Sequence, residues 1–310
     1  MRIITDKTNW TAVLEAFPES DAAHEWGYFE AYHQREPSLE QVLFYQESSQ
    51  GKIAYPFFFN RETKSLSSVY GYTGPLLDIT DELAWQTFSE ELARFCRQED
   101  ITKVEERFHP LLQNERCLFA KTQLQEKRKV VALKTAEQAT LAKLGTSGVR
   151  RFIRKAQKNG ITVRSSPITA IGDFLEIYNA TMRRKQANEL YYFEPTFFET
   201  LAAEFGPRFW LELAYLEGEV IGGSLNLSSQ TCVYGFLTAT KPEFQSLGVS
   251  QLLYYSLLEK AWAEQIPYAL IGGGFHTDDE DSLFLFKKSF VNRYVEDQEI
   301  FPYYTATTVL

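Results

Sequence analysis

The residues best placed to do chemistry begin with Gln245-Ser246-Leu247-Gly248-Val249-Ser250, between a strand-like run ending in Thr238-Ala239 and a helix-like run carrying Leu252, Leu253, Leu257, Leu258 and Trp262. A loop that opens a helix gathers unpaired backbone N–H groups and the positive end of the helix dipole at one point, where a pyrophosphate fits. Small residues at 248 and 250 let the backbone come close. Gln245, Gly248, Val249 and Ser250 therefore read as contacts for a phosphate-bearing donor, with a plain strand-to-helix turn as the alternative. Lys287 is the second candidate. Helical phasing places it inside the apolar stripe of Leu283, Phe286 and Phe290 and turns Lys288 away. Its ammonium either snorkels to water or stands beside a cleft to pair with an anion or a developing oxyanion. Ile271-Gly272-Gly273-Gly274 ends a strand just upstream, which permits close backbone approach or merely a sharp turn.

A cationic stretch is the third. From Gln138 to Gly172 there is no Asp or Glu, while Lys143, Arg150, Arg151, Arg154, Lys155, Lys158 and Arg164 carry seven positive charges. Val149, Phe152, Ile153 and Ala156 form the apolar stripe of a helix ending at Asn159-Gly160, and Arg150, Arg154 and Lys158 form a row along its polar side. A purely solvated face usually mixes signs, so an anionic partner stands beside the solvated-face reading. The cluster His276, Asp278, Asp279, Glu280, Asp281 has the residue types of a metal site, but a capping Asp and acids in a first helical turn account for it, and no metal is expected. HExxH, GxSxG and GxxxxGK[ST] are all absent from the sequence.

The elements that must position these residues come in two similar sets. Val42–Gln46, Gly51 and Lys52–Phe59 read as strand, turn, strand, as do Trp210–Leu216, Glu217-Gly218-Glu219 and Val220–Leu227. Each hairpin is followed by a strand, a helix and another strand: Ser65–Tyr70, Asp81–Arg97 and Lys103–Phe108, then Thr231–Ala239, Gly248–Gln265 and Tyr268–Ile271. Each is preceded by two helices. The expected fold class is α/β, mixed α+β, with two tandem units of residues 1–135 and 136–310, each a mixed sheet flanked by helices. A chain of 310 residues with 44% hydrophobic composition fits two cores. Net charge of -9 and pI near 5.2 argue against wholesale nucleic-acid coating but leave room for a local basic patch. No apolar run approaches bilayer length, and Met1–Lys7 holds no signal-like apolar region, so a cytoplasmic protein without a membrane span is expected. Cys96, Cys117 and Cys232 fit neither a disulfide framework nor a metal knuckle.

These residues together resemble the Fem-like branch of the GNAT (Gcn5-related N-acyltransferase) superfamily, tandem proteins that include aminoacyl transferases of peptidoglycan cross-bridges. The resemblance covers nearly the whole chain. It rests on Tyr70-Gly71-Tyr72-Thr73-Gly74-Pro75, Glu106–Asn114, Val149–Ala156, Thr181-Met182-Arg183-Arg184, Gly272–Gly274 and Phe286–Phe290. It implies that the second unit carries the donor and the reaction site, with the acceptor in the cleft between units. From these motifs come Tyr72, Arg107, Arg150, Arg154, Arg183 and Gly273 as substrate-binding candidates. Backbone N–H groups near Thr238 and Ala239 are expected to serve the oxyanion, Lys287 the developing charge, and Asp281 is the candidate base. The chain has no room for the long helical arm that many cross-bridge enzymes carry, which favours a CoA thioester over aminoacyl-tRNA as donor. Gly71–Pro75 replaces the phosphate loop in the first unit, and proline lacks an N–H donor, so no second cofactor site is expected. Many GNAT enzymes protonate the leaving thiolate with a tyrosine on the last helix, and Asp281–Phe290 contains none. The resulting expectation is an acyl-CoA N-acyltransferase with a small-molecule amine acceptor in peptidoglycan-precursor or cell-surface sugar chemistry. An aminoacyl-tRNA-dependent transferase comes second, with a binding module for an anionic glycan or nucleotide sugar as the non-enzymatic alternative.

Overall fold

Apolar runs in the first 110 residues become strands wherever both faces of the sheet are covered. The computed structural model describes residues 1–117, 119, 124–135, 141–275, 279–292 and 298–310, and the chain divides into two units, Met1–Arg128 with Pro302–Leu310, and Lys129–Phe301.

In the first unit β1 (Arg2–Ile4), α1 (Lys7–Leu14) and α2 (Trp26–Arg35) precede the hairpin of β2 (Leu39–Ser48) and β3 (Gly51–Asn60). Gly51 has φ +128 and a Cβ there would strike the Asp78 carbonyl at 2.1 Å, so only glycine fits. Two short strands share the far edge of β3: β4 (Ser65–Ser67) against Phe58–Asn60, and β5 (Leu76–Ile79) against Gly51–Ala54. Helix α3 (Glu82–Gln98) buries Ala84, Phe88, Leu92 and Cys96, four residues apart along one stripe. Burial of each large side chain there contributes about 1.5–3 kcal/mol. Strand β6 (Lys103–Arg107) then runs parallel to β4.

The second unit continues with β7 (Gln125–Lys134), α4 (Ser147–Lys158), β8 (Thr162–Ser166), α5 (Ile171–Arg184) and α6 (Pro195–Phe205). The hairpin of β9 (Phe209–Leu216) and β10 (Glu219–Ser228) follows, then β11 (Cys232–Thr240), α7 (Val249–Ala263), β12 (Tyr268–Gly273) and α8 (Ser282–Lys288). The order is β7-β12-β11-β10-β9-β8, with β11 and β12 parallel and the other pairs antiparallel. The final strand, β13 (Ile300–Val309), pairs through Thr305–Val309 with β6 in the first unit.

Both units are mixed sheets flanked by helices, as expected. The strands that patterning did not predict are β1, β5, β7, β8 and β13, which are short, solvated on one face, or rich in Thr and charge. Two of them move the division away from 135/136. Val130–Lys134 pair with β12 and belong to the second unit, whereas residues 302–310, which pair with β6 through Thr305–Val309, belong to the first. Among the described residues no helix is long and apolar enough to cross a membrane.

Candidate active site

Strand β11 is central in its sheet, yet its middle is only half-buried. It pairs with β12 over Cys232–Tyr234 against Tyr268–Leu270, and the two strands then part. On its other edge it stays paired with β10 as far as Thr240, with one extra residue, Phe236, bulged between the Gly235–Asn226 and Leu237–Leu225 pairs. Tyr234–Thr238 are half-buried while Ala239 and Thr240 are buried. The β12-facing edge of Leu237–Thr240 has no strand partner among the described residues, so its backbone groups line an opening in the sheet. Thr238 and Ala239, expected to supply oxyanion donors, lie on this edge.

The loop ahead of α7 closes the same end of the sheet. Pro242–Leu247 form a short 3-10 turn, and Gly248 donates its N–H to the Gln245 carbonyl at 3.2 Å. Gly248 caps α7 with φ +87, and a Cβ there would stand 2.4 Å from the Phe152 carbonyl of α4, so this glycine answers to helix packing whatever else it does. No side chain caps α7 and no acid occupies its first turn. Ser250 Oγ lies 3.0 Å from Thr240 Oγ1, tying the first turn to β11. Val249 is buried in the core, leaving its N–H rather than its side chain to meet a ligand. Lys155, from the cationic stretch, donates to the Ser246 carbonyl at 2.8 Å and braces the turn.

Asp281 and Lys287 meet at the end of β12. Asp281 accepts from Leu283 N–H at 2.9 Å and Phe284 N–H at 2.8 Å with one oxygen, and from Phe275 N–H at 3.1 Å with the other. Three donors on one buried carboxylate make it the cap of α8. Gly274 carries no side chain because a Cβ would fall 2.3 Å from that carboxylate. Lys287 is half-buried and donates to the Gly273 carbonyl at 2.8 Å, so the lysine and Gly273 do come together. Nearby, Lys185 at the end of α5 lies 4.4 Å from the Phe275 ring centre, and burial pulls its pKa down.

The basic row splits. Arg150 turns back to donate to the Leu144 and Gly145 carbonyls at 2.8 and 2.6 Å, so it braces the entry to α4; this corrects its reading as a ligand contact. Arg154 and Lys158 are exposed, as is Arg183 on the last turn of α5. Tyr72 and Arg107 belong to the first unit. Tyr72 stands edge-on to Tyr303 with ring centres 5.0 Å apart, and Arg107 lies over Tyr70 at 5.5 Å and within 3.5 Å of the Tyr303 hydroxyl. His276 and Asp278 lie outside the described residues, and among the described residues no group of three or more His, Cys, Asp or Glu could hold a metal ion.

Sequence patterning missed two polar features beneath α7. Glu212 on β9 is buried with Ser256 at 2.7 Å, Asn226 at 3.3 Å and Ser224 at 3.4 Å, and burial raises its pKa. Tyr254 packs its ring against Phe286 and Phe290 of α8, with centres 5.8 and 5.4 Å apart. Each sits among apolar positions, Glu212 of strand β9 and Tyr254 of helix α7, where a lone polar residue gives no period of its own.

Residues 146–279, spanning α4 to the turn after β12, match the acetyltransferase (GNAT) domain family. No curated protein matches the chain by sequence. Among solved structures, FemX is 14% identical with a TM-score of 0.70, covering 100% of this chain and 98% of its own. The C-terminal domain of a putative lysylphosphatidylglycerol synthetase from Agrobacterium fabrum is 12% identical with a TM-score of 0.60, covering 97% and 92%. A tandem GNAT protein from the clavulanic acid biosynthesis pathway is 9% identical with a TM-score of 0.56, covering 99% and 98%. At these identities the likeness is one of fold. The chain shares its fold with these structures, and residues 146–279, in its second unit, match an acetyltransferase (GNAT) domain.

Proposed function

We propose that this protein is an N-acyltransferase that moves an acyl group from an acyl-CoA thioester to an amine, with peptidoglycan-precursor or cell-surface sugar chemistry as its setting. The observation that carries the reading is the start of α7: a helix N-terminus with a glycine cap, no capping side chain and no acid in its first turn, at the open end of β11. An anion is what such a terminus lacks. In this reading the first unit is a GNAT-like domain without a phosphate site, and the second binds the donor and hosts the reaction.

The residues then take the following roles. N–H groups of Val249 and Ser250 hold the pyrophosphate, with the Gln245 turn beside it. The unpaired edge of β11 at Thr238-Ala239 holds the thioester and donates to the oxyanion as the amine attacks. Lys287 sets the end of β12 through the Gly273 carbonyl and brings positive charge to the developing anion. Arg154 and Arg183 remain the proposed contacts for the acceptor in the second unit, and Tyr72 and Arg107 are proposed substrate contacts of the first unit, considered by itself.

The second reading is aminoacyl-tRNA as donor, favoured by the exposed Arg154 and Lys158 in an acid-free segment. Calorimetry with CoA and with tRNA separates the two. Saturable CoA binding supports the first reading. Binding of tRNA alone, its log affinity falling with log salt by about 0.7–0.9 per phosphate contact, supports the second. Binding of a nucleotide sugar with no turnover of acetyl-CoA returns the protein to a binding module.

A further inference from the structure

CoA differs from a bare pantetheine thioester in carrying a phosphate monoester on its ribose, one sugar away from the pyrophosphate. We propose that Lys155 of α4 binds that 3′-phosphate and so selects CoA over thioester carriers that lack it. The inference rests on the acyl-CoA reading above and names the part of the donor that α4 reads.

Helix α4 is pressed against the start of α7. The Phe152 carbonyl lies so close to Gly248 that a Cβ there would stand 2.4 Å from it. Lys155 comes three residues after Phe152 and shares that face of the helix. Its side chain is exposed, and its ammonium donates to the Ser246 carbonyl at 2.8 Å. A 3-10 turn rises about 2 Å per residue, so the three residues from Ser246 to Val249 carry the chain only about 6 Å. The charge is therefore held about the width of a ribose from the N–H groups assigned to the pyrophosphate.

The ionic surroundings leave Lys155 available to a ligand. An ammonium has three N–H groups, and the Ser246 carbonyl takes one. Among the described residues no carboxylate pairs with Lys155, and the sequence from Gln138 to Gly172 contains no acid. The other lysine at this turn, Lys241 at its start, is already paired with Glu219 at 2.6 Å. Arg151 and Lys158, four residues before Lys155 and three after it, lie on the same stripe of α4 and are exposed, which adds positive potential. Glu243, the acid of the turn, is exposed to water. The monoester carries the highest charge of any single group on CoA, and a lysine meets it as a point charge. The bond to Ser246 holds the long side chain in place beforehand, which lowers the ordering cost of the contact.

The test is a thermodynamic cycle, by calorimetry with CoA and with 3′-dephospho-CoA, on wild type, Lys155→Gln and Lys155→Arg. Glutamine can still donate to the Ser246 carbonyl but carries no charge. Wild type is expected to bind CoA about tenfold more tightly than dephospho-CoA at low salt, a gap that narrows as salt screens an exposed contact. Lys155→Gln should cut the gap to about twofold, and Lys155→Arg, which keeps the charge, should retain most of it. An unchanged gap in Lys155→Gln, whether or not both affinities fall, overturns the assignment and leaves Lys155 a brace for the turn. Equal affinity of the wild type for the two ligands overturns it as well, and in both cases the CoA reading stands. Binding of neither ligand by the wild type overturns the donor reading, and the role of Lys155 with it.

Discussion

Both units contain two helices, a hairpin, a further strand, a long helix and a closing strand in that order, and they differ most where one would hold a nucleotide. In the second, β11 is continuous with a single bulged residue, and α7 starts on a bare glycine. In the first, the corresponding strand is broken into β4 and β5, and the excursion Ser68–Pro75 stands where the bulge would be. The helix that follows, α3, is capped by the Asp81 carboxylate on Leu83 N–H, with Glu82 in its first turn. One helix start has already satisfied its donors with acid, and the other has not. On the proposed reading the start of α3 is the less suited to an anion, through the charge of Asp81 and Glu82 as much as through Pro75.

The excursion of the first unit is held from inside. Asn114 donates to the Thr73 and Pro75 carbonyls at 2.8 and 3.0 Å and accepts from His109 N–H at 2.8 Å, while His109 Nε2 and Asp21 lie 2.7 Å apart. Asn114→Ala would strand three buried backbone groups, and a loss of about 4 kcal/mol in chemical denaturation is expected. A loss under about 1 kcal/mol would mean that the loop is held by something else and that the contrast between the units is looser than drawn.

A buried acid gives the next effect. Glu106 accepts from the Tyr55 hydroxyl at 2.8 Å and Phe119 N–H at 3.1 Å, its second oxygen is unsatisfied among the described residues, and burial pushes its pKa up to about 7. Its folded form holds the proton more tightly than the unfolded chain does. The stability it gives is therefore complete below about pH 4.5 and is lost as pH rises to about 7, on the order of 3 kcal/mol in all. Glu106→Gln should flatten that decline. His24, lowered by burial to about 4, acts with the opposite sign, losing its contribution as pH falls from about 6.5 to 4. Melting curves across this range in wild type and Glu106→Gln measure both.

Closing the second unit in the manner of the first is the sharpest test of the comparison. Ser250→Glu places an acid in the first turn of α7, as Glu82 does in α3, without the clash that any side chain at Gly248 makes with Phe152. CoA affinity should fall about 100-fold, or about 2.7 kcal/mol. Asp81→Ser in the first unit should leave calorimetric stoichiometry at one CoA per chain; a second site would break the contrast. An effect of similar size is expected for Lys287→Met, a fall in kcat of about 100-fold with little change in KM, with Lys288→Met as control. Equal behaviour of the two variants would return Lys287 to a packing role. The smallest effect belongs to Arg154→Ala with Lys158→Ala: about threefold on CoA affinity if the donor is CoA, and a reduced salt slope if it is tRNA.

Much of this was legible in the sequence for a physical reason: hairpins and amphipathic helices bury one face, so their period shows. Both hairpins, α3, α6 and α7 fall within a few residues of the patterning, whereas in α8 the buried residue is Phe284, with Lys287 and Lys288 both half-buried. What could not be seen depends on partners distant in the chain. Nothing near Arg150 indicates that its guanidinium turns back on Leu144 and Gly145. Gly248 looks like a phosphate-loop glycine, and its conflict with Phe152 emerges only when α4 packs on α7. The sequence offers Asp281 as a cap, and its three donors, one of them Phe275 N–H beyond the helix, show that role in full. Tyr254 looks like one more apolar position of α7 until Gly235 and α8 are set around it.

The pairing of β13 with β6 also sets an order of events during synthesis. Arg107 and its partner Thr305 are roughly 200 residues apart in sequence. At roughly 5–20 residues per second, the edge of β6 waits about 10–40 s on the ribosome for the strand that covers it, while the whole second unit emerges. An exposed strand edge is a template for wrong pairing. Lys103 and Glu105 on β6, whose charged groups lie 2.9 Å apart, place paired charge on that edge over the interval. The unit made first is thus the one completed last, and lesions near the carboxyl terminus should appear as misfolding of the amino-terminal half.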